Sequence, residues 1–215
     1  MVNFSTELAA LADAPGAGRI FAAAGIERTA ACVRWVWEEQ MSRASDASFF
    51  RSRLDTLWAP EEPPADYAGE VLGWAEALPE FAGPDTPQGV GKYAFHGVLA
   101  LHTACRALFV ADSTDTLGHL SDGLLHLGEI LDGEEKPADA ADFANFDLDR
   151  LFAGPQEPTG RHYTGEREEQ RRDLEALAGL TGRAVPPPEE LAALRERARE
   201  AGARRLAALR EARKA

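Results

Sequence analysis

Strand-forming runs are missing from this chain. Nowhere do Val, Ile, Thr and aromatic residues alternate with polar ones between turn signals, which excludes a sandwich, a barrel or a doubly wound sheet. Cysteine is scarce. Cys32 and Cys105 are the only two in 215 residues, too few for the disulfide framework of a small secreted domain, so buried free thiols are expected. Long apolar runs are also absent. The best, residues 97–111, is interrupted by His102 and Arg106, well short of the roughly 18 apolar residues that a membrane span needs. The N-terminus has no basic start ahead of an apolar stretch, so no signal peptide is read there. A soluble cytoplasmic protein is the expectation.

Signature loops are lacking as well. There is no Gly-x-Ser-x-Gly elbow, no glycine-rich phosphate loop and no Cys-x-x-Cys pair. "GVGKYAF" supplies Gly89, Gly91 and Lys92 but neither the upstream glycine nor the Ser/Thr of a phosphate-binding loop. No cofactor is expected.

What is present is helical periodicity. Apolar residues make up 45% and charged residues 27% of the chain, the mix of a globule able to build its own core. Residues 5–14 read as a short first helix and 17–43 as a long one, with Gly25 marking a kink or a close helix contact. Phe50, Leu54, Leu57 and Trp58 form the face of a third helix, ended by "APEEPPAD"; Tyr67, Val71, Trp74 and Leu78 form a fourth. Ala94, Gly97, Val98, Leu101, Ala104, Cys105 and Leu108 make one stripe, and Gly97 and Ala104 would admit a close neighbour. Leu117, Leu120, Leu124, Leu127 and Leu131 make the next, with Asp112 or Ser113 as its cap. These two helices are expected as an antiparallel hairpin at the centre of the fold. A short helix over 139–152 is expected to tuck in Phe143, Phe146 and Phe152. Leu174, Leu177 and Leu180, then Leu191, Leu194, Leu206 and Leu209, mark two tail helices. The reading is an all-α fold, an irregular antiparallel bundle of about seven to nine helices. It forms a single domain over 1–215, with 166–215 a helical C-terminal extension packed on it.

Four of the five histidines lie in 96–126, which raises the question of a metal. His119 and His126 are seven residues apart, about 10.5 Å along a helix axis, too far for two bonds of about 2 Å. The leucine stripe turns both outward, and the Glu-x-x-His pattern of bundle metal sites is missing. No metal is expected. "GIERTA" presents Glu27 and Arg28, for which a structural ion pair between helices outweighs acid–base chemistry.

An acidic–basic pair in "FAAAGIER", an aromatic helix ending "FFRSRLDTLW", the helix "YAFHGVLALHTACRAL" with its leucine partner, and a late "LRERAREAG" occur in that order. This order resembles the YjaG-like family of bacterial all-helical proteins, a domain of unknown function, from about Phe21 to Leu209. Leu54, Asp55 and Trp58 carry the resemblance most. It implies an all-helical fold and no particular activity.

Net charge is −13, and it is uneven: residues 59–165 hold 19 acidic and 5 basic side chains, whereas 166–215 hold 10 and 12. Such a field repels nucleic acid and anionic membrane and attracts a basic partner. The functional expectation is therefore a non-enzymatic binding protein, immunity- or antitoxin-like in its concrete form, whose acidic middle docks a basic protein. The alternatives are a helical-bundle enzyme using Glu27, Asp55, His102 or His126 in an interhelical cleft, and a homo-oligomeric structural protein, a homodimer being the simplest.

Overall fold

The computed structural model describes residues 4–81, 83, 87–135, 160–181 and 184–214. Among them are eight α-helices and no strand: α1 (Ser5–Ala12), α2 (Pro15–Arg34), α3 (Ala44–Trp58), α4 (Tyr67–Glu76), α5 (Gly91–Phe109), α6 (Leu117–Glu135), α7 (Arg161–Leu177) and α8 (Pro188–Ala212). They pack as an irregular antiparallel bundle. The helix expected over 139–152, with Phe143, Phe146 and Phe152, lies outside the described residues.

The centre is α2, not the α5–α6 hairpin. Seventeen of its 20 residues are buried, and α8, α5 and α3 pack on it, with contacts from α6, α7 and α1 as well. Composition explains the difference. A one-sided leucine stripe such as that of α6 marks a wall, whereas the Ala and Gly that encircle α2 let neighbours approach from every side. Gly97 of α5 faces Val33 and Thr29 so closely that a Cβ there would overlap the Val33 side chain. Gly202 of α8 lies over the Glu27 and Arg28 carbonyls, where a Cβ would sit 3.0–3.2 Å from those oxygens. Gly25 meets Leu124 of α6, the close contact expected of it.

The long second helix changes geometry rather than running on to residue 43. Trp35–Gln40 is π-helical, with Met41 N–H bonded to the Val36 carbonyl at 2.9 Å. The wider turn carries the burial of α2 on through Trp35, Val36 and Trp37. Trp37 then meets Phe50 and Trp74 edge-on and donates its indole N–H to Glu80 at 3.3 Å.

Three helix ends are held by side chains. Arg19, buried, donates to the carbonyls of Leu57 (3.1 Å) and Ala59 (2.5 Å), closing the C-terminus of α3. Burial lowers its pKa. The cap of α6 is neither Asp112 nor Ser113 but Thr116: its hydroxyl accepts the His119 N–H and the His119 ring accepts the Thr116 N–H, both at 3.3 Å. This is a capping box with imidazole in the usual Glu position. Asp132 of α6 reaches the first turn of α7, accepting the His162 and Tyr163 N–H groups at 2.9 and 3.0 Å.

Leu117, Leu120, Leu124, Leu127 and Leu131 of α6 are all buried, as are Phe50, Leu54, Leu57 and Trp58 of α3. Cys32 and Cys105 are free and buried, and burial raises their thiols to about 11 and about 12. No described helix is long and apolar enough to cross a membrane.

Candidate functional site

Glu27 and Arg28 are neighbours in sequence but about 100° apart around α2, so they enter different networks. Arg28 is fully buried. Its Nε and Nη2 donate to Glu166 at 3.0 and 2.8 Å, and its Nη1 to Asp173 at 2.6 Å. Arg205 of α8 also donates to Glu166 and Arg197 to Asp173. Gln170 joins Glu166 (2.9 Å) and exchanges bonds with Ser121 of α6. Burial alone would raise the Glu166 pKa, but Arg28 and Arg205 outweigh it and hold the carboxyl at about 2. Burial likewise opposes the Arg28 charge, and Glu166 and Asp173 overcome it, leaving the guanidinium above its ordinary value. This network ties α2, α6, α7 and α8 together.

Glu27 faces α3 and α8, with its side chain only 1% exposed. Oε1 accepts from Arg51 (2.5 Å) and Arg199 (3.3 Å); Oε2 accepts from Trp58 (2.9 Å) and Arg195 (3.3 Å). Arg195 also bonds Asp55 and lies 5.7 Å from the Trp58 ring centre. Arg51 Nε is 3.3 Å from Asp55. Beside this cluster a cleft of about 730 Å³ opens between α2, α3 and α8; its lining is apolar at four alanines and Phe50, carries the hydroxyls of Ser48 and Ser52, and sets Arg34, Arg51 and Arg199 against Glu27, Glu38 and Asp55.

Two of the four sequence candidates, Glu27 and Asp55, thus come together, and His102 and His126 do not join them. His102 on α5 is 3.8 Å from Glu76 of α4 and near the Phe81 ring. His126 on α6 is exposed, 3.0 Å from Glu129, with its ring against that of His96. His119 is exposed too. His96 is buried, and burial, with His126 and Lys92 nearby, lowers its pKa to about 4. Among the described residues no three His, Cys, Asp or Glu side chains gather closely enough to hold a metal ion.

The sequence reading passed over Arg51, Arg195 and Arg199, although 51 and 55, and 195 and 199, stand four apart and so share helix faces. It also missed the polar stripe of α7. Glu166, Gln170 and Asp173 continue to Leu177 in steps of four, three and four, all on the buried side.

A third feature lies at the end of the bundle where α3 passes into α4. Glu61 and Asp66 are exposed there, Asp112 is exposed three residues beyond the end of α5, and none of the three makes an ion pair among the described residues. The charges of Glu62 and Glu61 bear on Arg19 beneath them. Phe109, at the C-terminus of α5, packs its ring on Tyr67 with centres 5.7 Å apart, yet remains 39% exposed. Met41 is the other exposed large apolar side chain among the described residues. The carbonyl end of α5 adds partial negative charge to the same place.

No protein-family model matches this chain, and no curated protein or solved structure does either. The resemblance to the YjaG-like family is therefore without support and assigns no residue a role.

Proposed function

We propose that this chain is a non-enzymatic binding protein that docks a basic protein partner on the α3–α4 end of its bundle. Phe109 carries the reading. It is an aromatic side chain left 39% exposed against Tyr67, with solvent-facing carboxylates at Asp66, next to Tyr67 in sequence, and at Asp112, three residues on from Phe109 itself. An aromatic anchor bordered by carboxylates suits an arginine-bearing surface, with the ring supplying contact area and the charges supplying encounter rate and partner choice. An immunity- or antitoxin-like role, covering the groove of a basic enzyme, is the concrete form. Catalysis fits the geometry less well. Both Glu27 oxygens are already filled by four donors, which leaves no lone pair aimed at a substrate proton.

Affinity capture from the native host tests this, with wild type run beside a Phe109→Ser, Asp66→Asn, Asp112→Asn variant. The expected result is a basic partner that wild type retains at low salt, releases as salt rises, and that the variant loses. Identical capture by both proteins would refute the reading.

A further inference from the structure

We propose that the cleft between α2, α3 and α8 is a second, separate binding site, for a small organic anion with a compact apolar body. A guanidinium has five N–H donors and no acceptor. Arg51 commits Nη1 to Glu27 and Nε to Asp55, leaving Nη2 unengaged. Arg199 commits Nε to Glu27 and has Nη1 3.9 Å from Glu196, again leaving Nη2. Arg34 is held only by a 3.8 Å approach of its Nε to Glu38, so both of its terminal nitrogens are unengaged.

The carboxylates offer no matching surplus inside the cleft. Glu27 is saturated, and Asp55 and Glu38 stand at the rim with side chains 48% and 44% exposed. With those two carboxylates turned toward solvent, three guanidiniums share one opening, and the hydroxyls of Ser48 and Ser52 are the other polar groups beside them. Glu27 fixes Arg51 and Arg199 in place from below, so their remaining donors are preorganised rather than drawn from solvent-mobile side chains.

The body of the ligand follows from the rest of the lining. Ala30, Ala31, Ala47 and Phe50 give a shallow apolar floor, and Ala203 closes one side. A volume of about 730 Å³ lies in the range of small-molecule sites. A single aromatic or branched aliphatic group would cover that floor, with a carboxylate or phosphate ester turned toward the arginines.

Calorimetric titration of the full chain with benzoate, phenyl phosphate and benzylamine tests the site. The two anions are expected to bind saturably and the cation not to bind; the tighter anion identifies the ligand's acid group. Ala203 is exposed, so Ala203→Phe should fill the cleft without disturbing the core and abolish binding. Arg34→Ala, at an equally exposed position, should weaken binding about tenfold, the loss expected of one charge-assisted contact. Helix content by circular dichroism checks that both variants are folded. No saturable binding of either anion, equal binding of benzylamine, or full affinity in Ala203→Phe would each overturn the proposal. None of these outcomes bears on docking at Phe109.

Discussion

Replacing Arg28 by Met keeps most of the side-chain volume and removes the charge. Three hydrogen bonds to two carboxylates disappear, from a site where Arg28 and Glu166 are 0% and Asp173 2% exposed. Breaking a buried ion pair by deleting one partner costs about 3–5 kcal/mol, because the other partner's desolvation is left uncompensated. Arg205 and Gln170 still serve Glu166, and Arg197 still serves Asp173, so the lower end applies, about 3 kcal/mol. With a urea slope near 2 kcal/mol/M, the unfolding midpoint should fall by about 1–2 M. The deficit also carries a pH signature. Glu166 titrates at about 2 in the fold against an ordinary 4.5, so wild type gains stability from it that is fully present above pH 4.5 and lost as pH falls through 2. That gain is at most about 3 kcal/mol. Arg28→Met raises the folded value, so its deficit should shrink as pH drops from 4.5 toward 2. Urea titrations at several pH values read both effects. A deficit below about 1 kcal/mol at neutral pH, or one that does not change in acid, would refute the reasoning.

Further outcomes follow from other contacts. His96 has a folded pKa of about 4 against an ordinary 6.5, so wild type should lose stability as pH falls from 6.5 to 4, by at most about 3 kcal/mol. His96→Phe should remove that slope and cost little at neutral pH, since His96 Nε2 has no partner to lose; thermal melts of both proteins between pH 7 and 4 check it. Gly97→Ala should destabilise by about 1–3 kcal/mol by forcing α5 off Val33. Gly73→Ala in α4, where nothing lies within 4 Å of the new Cβ, should instead stabilise by about 0.5–1 kcal/mol. Opposite signs in paired urea titrations are required; a shared sign contradicts the packing.

Apolar spacing revealed the walls of the bundle. The α6 leucines, the α3 aromatics and the Gly97–Ala104 contact face are where their helical steps put them. Periodicity was silent where burial is not apolar. Alanine and glycine carry too little hydrophobic contrast to show that α2 is buried on every side, so the centre was assigned to the more conspicuous hairpin. The polar stripe of α7 carries no apolar signal, and its partners, Arg28 and Arg205, lie 138 and 39 residues from Glu166. Glu27 stood out beside Arg28 at the end of an apolar run, and Asp55 in the "RLDTLW" end of the third helix. Their arginines did not, since Arg51 on α3 and Arg195 and Arg199 on α8 are ordinary charged positions until the register of those helices on α2 is fixed. Phe109 and the carboxylates around it depend on a turn bringing α4 beside the end of α5, which no local pattern specifies.

The docking end can be tested most directly by titrating the isotopically labelled chain with an amphipathic peptide of arginine and leucine and following backbone amide shifts. Perturbations should gather on Glu61–Tyr67 and Phe109–Asp112 and weaken with salt and in Phe109→Ser. Shifts scattered over the whole surface, or an equal response to the same peptide with glutamate in place of arginine, would contradict it.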